Sequence, residues 1–157
     1  MTADLHLFAR KAGDMAFVAR ADSGHWTMMD TGFAVGGSDG AMRPFEMLFA
    51  SLAGCTGSDV LYVLKKKRIP IDDLWIRIDA PRKDTHPKVA TSIHLHFTVV
   101  GRDVPPDAVA HAIELSQTKY CSVTAMIKVV SPVTSDFEII TPEEAASRKP
   151  PRFGDSE

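Results

Sequence analysis

Apolar and polar positions alternate with a period of two in several short runs and follow a helical period in one long one. Met15-Ala-Phe-Val-Ala-Arg and His25-Trp-Thr-Met-Met-Asp read as strands. They are separated by Ala-Asp-Ser-Gly, a turn whose glycine suits positive φ. Gly32-Phe-Ala-Val-Gly adds a third short run, and Gly36-Gly-Ser-Asp-Gly-Ala follows as a flexible loop by composition. Phe45 to Lys67 is the longest helical candidate, with Pro44 at its start and Pro70 just beyond its end. Its first half is apolar almost all round, which predicts full burial. Gly54 and Gly57 each cost about 1 kcal/mol relative to alanine inside a helix, which predicts close approach of another backbone. Basic Lys65-Lys-Lys-Arg faces the negative end of the helix dipole.

Ile71 to Ala80 and Val89 to Val100 alternate as two longer strands joined by the hairpin loop Pro81-Arg-Lys-Asp-Thr-His-Pro. In the second of them Ser92, His94 and His96 share one face, while Ile93, Leu95 and Phe97 share the other. Pro105 to Ser116 reads as a helix, a short helix follows around Cys121 to Ile127, and Val129 to Ile140 closes the sheet. The order βββ–α–ββ–α–α–β is that of an α+β domain with mainly antiparallel strands. It spans residues 1–140. Residues 141–157 form a short helical turn, opened by a Thr141–Glu144 capping box with Pro142 at the first helical position, and then a frayed tail.

With 157 residues, 45% hydrophobic and 24% charged, the chain needs no disulfide or metal to hold a core. Eighteen basic against twenty acidic residues argue against charge-driven binding of nucleic acid or an anionic membrane. No apolar run reaches the roughly 18 residues of a membrane span, and Met1 to Gly13 lacks the grammar of a signal peptide, so a cytoplasmic protein is expected. Two cysteines are too few for a stapled scaffold or a structural zinc site. His94 and His96 have no third ligand nearby in sequence, so they read as a polar sheet face. No metal or cofactor is assigned.

The two thiols carry the candidate chemistry. Cys55 lies mid-helix, where an inert buried thiol is as good a reading as a reactive one. Cys121 lies at a helix start, where exposed amides and the dipole favour a thiolate and Lys119 adds to the effect. On local physics Cys121 is the more acidic. Should the two meet, with Cα atoms about 4.4–6.8 Å apart, they can cycle between thiols and a bridge. Asp59 is one turn after Cys55 on the same face. A carboxylate so close raises a thiol's pKa unless a cation neutralises it, and it can also accept a hydrogen bond or position a ligand.

Pro44-Phe-Glu-Met-Leu-Phe-Ala-Ser-Leu-Ala-Gly-Cys-Thr-Gly-Ser-Asp-Val-Leu-Tyr-Val-Leu-Lys-Lys-Lys-Arg, a long hairpin and then Lys119-Tyr-Cys-Ser-Val together resemble the OsmC/Ohr family, in its OsmC-like branch. The resemblance covers roughly Ala16 to Ile140. It implies an intertwined homodimer, with six-stranded antiparallel sheets wrapped around two central long helices. It further implies an oxidative-stress peroxidase in which Cys55 attacks organic hydroperoxides and Cys121 resolves, with an external dithiol such as a lipoylated protein as reductant. Peroxidase members also use a glutamate directly after the proline and an arginine in the first hairpin turn. Here the first position is Phe45 and the acid is Glu46, nine residues before Cys55, which puts it about 180° away on a regular helix. An acid there also satisfies first-turn amides. The turn reads Ala21-Asp-Ser-Gly, leaving Arg20 and Arg43 as substitute arginines or as ordinary surface charges. Asp59, Phe45 and Phe49 are the candidate substrate contacts. The alternative is a binding module that holds an apolar or acyl-like ligand at the same cysteines without turnover.

Overall fold

The computed structural model describes residues 4–148. Two compact units share one long helix, and the boundary between them falls inside it, between Ser51 and Leu52. The predicted frayed tail, 149–157, lies outside the described residues.

In the first unit, β1 (Leu7–Lys11), β2 (Phe17–Ala21) and β3 (Trp26–Met29) form an antiparallel sheet in that order. Strand β1 was not foreseen, because Leu7-Phe-Ala-Arg-Lys shows no clean alternation and all five residues are exposed. The third expected strand, at Gly32–Gly36, is instead a 3-10 turn over Phe33–Val35, ended by Gly36 at φ 87°. The glycine-rich segment after it is tied down by Asp30, which is only 1% exposed. Its carboxylate accepts from Thr31 N–H (2.8 Å), Ser38 N–H (3.1 Å), Ser38 Oγ (2.6 Å) and Gly40 N–H (3.1 Å). Those donors, the Ser38 hydroxyl first, hold the carboxyl down to about 2.

The long helix, α1 (Pro44–Lys66), runs 23 residues. Its buried residues are Leu52, Thr56, Gly57, Val60, Val63 and Leu64. The expectation that its apolar first half is fully buried fails: Leu48 is 41% exposed, because an apolar circumference needs cover on every side and the single chain does not supply it. The glycine expectation also changes. A Cβ at Gly57 would meet the Ile76 side chain at 3.0 Å, so the close neighbour is a side chain and not a backbone; at Gly54 nothing lies within 4 Å. By length and composition α1 is also apolar enough to cross a membrane, contrary to the count of uninterrupted apolar residues, which Ser51 and Thr56 cut short. A core helix passes the same test.

The second unit builds its core from α1, a central strand and a second helix. Strands β4 (Asp73–Asp79) and β5 (Ile93–Val100) pair as the predicted antiparallel hairpin, in a register from Asp73↔Val100 to Asp79↔His94. Helix α2 (Pro106–Leu115), a π-helical turn (Ser116–Tyr120) and α3 (Ser122–Ile127) then lead to β6 (Val133–Ile140). Strand β6 runs parallel to β5, not antiparallel, because this helical crossover returns the chain in its starting direction. Leu52, Val60, Leu64, Ile93, Leu95, Phe97, Val99 and Val109 are sealed from solvent. Helix α4 (Pro142–Ser147) carries the predicted Thr141–Glu144 capping box. Among the described residues each sheet has three strands.

Candidate functional site

Helix α1 presents Cys55 and Asp59 one turn apart, and the chain between α2 and α3 brings Cys121 to them. The two sulfurs and an Asp59 carboxylate oxygen all lie within 4.8 Å of one another. Both cysteines are free thiols; Cys121 is buried and Cys55 half-buried. Cys121 is the N-cap of α3, and its Sγ accepts the Thr124 N–H at 3.3 Å. This is the helix-start position its neighbours in sequence predict.

The π-helical turn was not legible in sequence, yet it shapes the site. A five-residue stretch of wider winding separates the ends of α2 and α3, and its first residue, Ser116, is buried. The Ser116 hydroxyl donates to Asp59 Oδ2 at 2.8 Å. A single serine in a run of Ser-Gln-Thr-Lys-Tyr carries no signal of such a partner, which only the fold reveals.

Burial, foremost, and the neighbouring Cys121 thiol push the Cys55 thiol above its ordinary range; the Asp59 charge adds to the rise, while a hydrogen bond from the Val123 N–H draws it down. The carboxylate acts in the direction its spacing predicts. No Lys, Arg or His among the described residues forms an ion pair with Asp59.

The other expected site residues lie in the first unit, each with partners there. The Glu46 carboxylate accepts the Arg43 N–H at 2.9 Å, the first-turn role that was its alternative. The Arg43 guanidinium donates to Asp39 at 3.2 Å. Arg20 donates to the Gly24 carbonyl at 3.0 Å and lies over the Trp26 ring at 6.0 Å. Phe45 and Phe49 pack edge to face, ring centroids 5.1 Å apart.

The acids missing from the local sequence around His94 and His96 arrive from β6. Parallel register sets His96 opposite Asp136 and Thr98 opposite Glu138. His96 Nδ1–H donates to Asp136 at 2.5 Å and holds that carboxyl below its usual range. Glu138 accepts from Arg148 (2.5 Å) and Thr98 (3.0 Å) and is lowered to about 2, chiefly by Arg148. These carboxylates already have donors, so the face reads as a satisfied polar surface.

The family model for OsmC-like protein matches residues 36–136. The chain is 35% identical over 126 residues to Protein YhfA of Escherichia coli K12, covering 80% of this chain and 91% of that protein. A hypothetical protein from Aquifex aeolicus VF5 has a crystal structure similar at TM-score 0.79 and 28% identity, covering 89% of this chain and 98% of that one. An organic hydroperoxide resistance protein from Elizabethkingia anophelis shares the fold at TM-score 0.61 and 18% identity, covering 88% and all of the respective chains.

Proposed function

This chain belongs to the OsmC-like protein family, and we propose that it reduces organic hydroperoxides through Cys55 and Cys121. The observation that carries the reading is the meeting of two free thiols, distant in sequence, within 4.8 Å. Such a pair in this family suggests a redox role, and the peroxide step is the finer proposal. The Cys55 thiolate attacks the terminal peroxide oxygen, the O–O bond breaks, and the departing alkoxide takes a proton to leave as an alcohol. Cys55 becomes a sulfenic acid. The Cys121 thiol then attacks that sulfur, forming the bridge and releasing water. An external dithiol supplies two electrons, returns both thiols and becomes a disulfide itself. The Val123 amide supports the reading, since it helps the Cys55 sulfur carry negative charge, and the Thr124 N–H fixes the Cys121 sulfur beside it. Such chemistry needs thiols kept reduced, as in the cytoplasm.

The working form is proposed to be a homodimer. Leu61 and Tyr62 on α1 are 45% and 62% exposed, apolar surface that a second copy would cover. Sedimentation should give a dimer mass; a monomer at micromolar concentration would remove this part of the proposal.

A second reading, a binding module without turnover, is favoured by one observation: the Cys55 thiol is pushed up, toward its less reactive form. Steady-state assay separates the two. With excess dithiothreitol, the protein should consume cumene hydroperoxide and release its alcohol, faster than it consumes hydrogen peroxide. No consumption of either leaves the binding module.

A further inference from the structure

We propose that Cys55, Asp59 and Cys121 form, in the reduced protein, a site for a thiophilic divalent cation of the zinc class. Tetrahedral zinc with sulfur bonds near 2.3 Å and oxygen bonds near 2.0–2.2 Å sets its ligand atoms about 3.5–3.8 Å apart. Here the three candidate ligand atoms lie within 4.8 Å of one another, so closing on an ion needs side-chain movement of about 1 Å. Two thiolates select a soft ion over magnesium or calcium. A structural zinc site needs four protein ligands, and three meet here among the described residues, which suits a site with an open fourth position.

The groups around the ligands fit the same purpose. The Ser116 hydroxyl donates to Asp59 Oδ2 and holds the carboxylate in place, with lone pairs left over to coordinate. Thr124 N–H on Cys121, and Val123 N–H on Cys55, orient the sulfurs as outer partners of metal ligands do. Thr124 itself is wholly buried, and its hydroxyl has no hydrogen-bond partner among the described residues. Three acidic groups meet here with no cationic side chain among the described residues paired to Asp59, and a dication would balance that charge.

The ion site stands on this ligand geometry alone; its consequence for turnover rests on the peroxidase reading. An ion held by both sulfurs occupies the electron pairs that would attack a peroxide, so the bound state is shielded from oxidation. Conversely, a Cys55–Cys121 bridge leaves the ion only a carboxylate, and it is released.

The test uses reduced full-length protein, stripped with a chelator and titrated with Co2+ alone, then with Zn2+. One equivalent of Co2+ should give a thiolate-to-cobalt charge-transfer band and tetrahedral visible bands, both abolished by Zn2+. Cys55→Ser and Cys121→Ser should each weaken binding at least about 100-fold and Asp59→Asn about 10-fold or more, taking ligand loss to be at least as costly as loss of an outer partner. His96→Ala should leave it unchanged. In the unsubstituted chain, saturating zinc should slow alkylation of both thiols at least about tenfold, and a chelator should restore it. Absence of the charge-transfer band, alkylation indifferent to zinc, or loss of binding in His96→Ala but not in Cys121→Ser overturns the site. A cobalt band in a protein that never bridges on hydroperoxide would leave the ion site standing and the peroxidase reading refuted.

Discussion

Asp30 and Asp59 are both sheltered carboxylates, and the chain treats them in opposite ways. Asp30 is met by four donor contacts within ten residues of chain, and its charge is fully answered by amides and a hydroxyl. Among the described residues Asp59 receives one hydroxyl, from Ser116, and faces two sulfurs that are themselves acids. The first arrangement is finished: it turns a glycine-rich segment into a fixed loop and leaves nothing to react. The second retains unanswered charge and coordination capacity, which is the condition for chemistry.

The strongest way to break this contrast is to remove a sulfur. Cys55→Ser should cut hydroperoxide turnover by at least about 1,000-fold, as loss of a nucleophile does. Cys121→Ser should instead leave a sulfenic acid on Cys55, detectable by dimedone labelling and mass spectrometry. The reverse pattern would assign the attack to Cys121.

Next in size is Asp30→Ala, which strips the loop of its acceptor. Calorimetry should show Tm lowered on the order of 5–10 °C at pH 7. The sign with pH follows from a folded carboxyl near 2 against about 3.9 in the unfolded chain. Its stabilisation is present above about pH 4 and is lost as pH falls toward 2. The variant's acid limb should be correspondingly flatter, and an acid limb as steep as that of the parent chain contradicts the assignment.

These two residues also mark what the sequence could reveal. Cys55 and Asp59 were legible because a helix fixes the spacing of its own neighbours, and Cys121 because a helix start has a local grammar. Asp30 was missed: its partners Ser38 and Gly40 lie across a loop whose path no periodicity encodes. Ser116 was missed because it depends on a π-helical turn, a departure from the regular period that pattern reading assumes. The α+β class and most elements followed from alternation, but the parallel docking of β6 did not. Strand direction is set by how the crossover packs, not by the strand's own residues. The Asp136 carboxylate reaches His96 only through that pairing.

A smaller effect sharpens the comparison at Asp59. In chelator-treated protein, Asp59→Asn removes a charge that raises the Cys55 thiol, so more thiolate is present at neutral pH. Alkylation of Cys55 at pH 7 should accelerate about 3–10-fold. A slower rate would mean that Asp59 acts as a proton acceptor rather than a repelling charge. Smallest of all, Arg148→Ala removes an exposed partner of Glu138 and should shift Tm by no more than about 2 °C, as surface ion pairs do. A larger fall would place α4 among the elements that hold the second unit together.

The most direct trial of the account is peptide mapping by mass spectrometry after one equivalent of cumene hydroperoxide is added to reduced, metal-free protein. The expected product is a single Cys55–Cys121 cross-link within one chain, with both free thiols lost and both recovered on adding a dithiol. Thiols left intact, or one cysteine driven to sulfinic acid while its neighbour stays reduced, would contradict it.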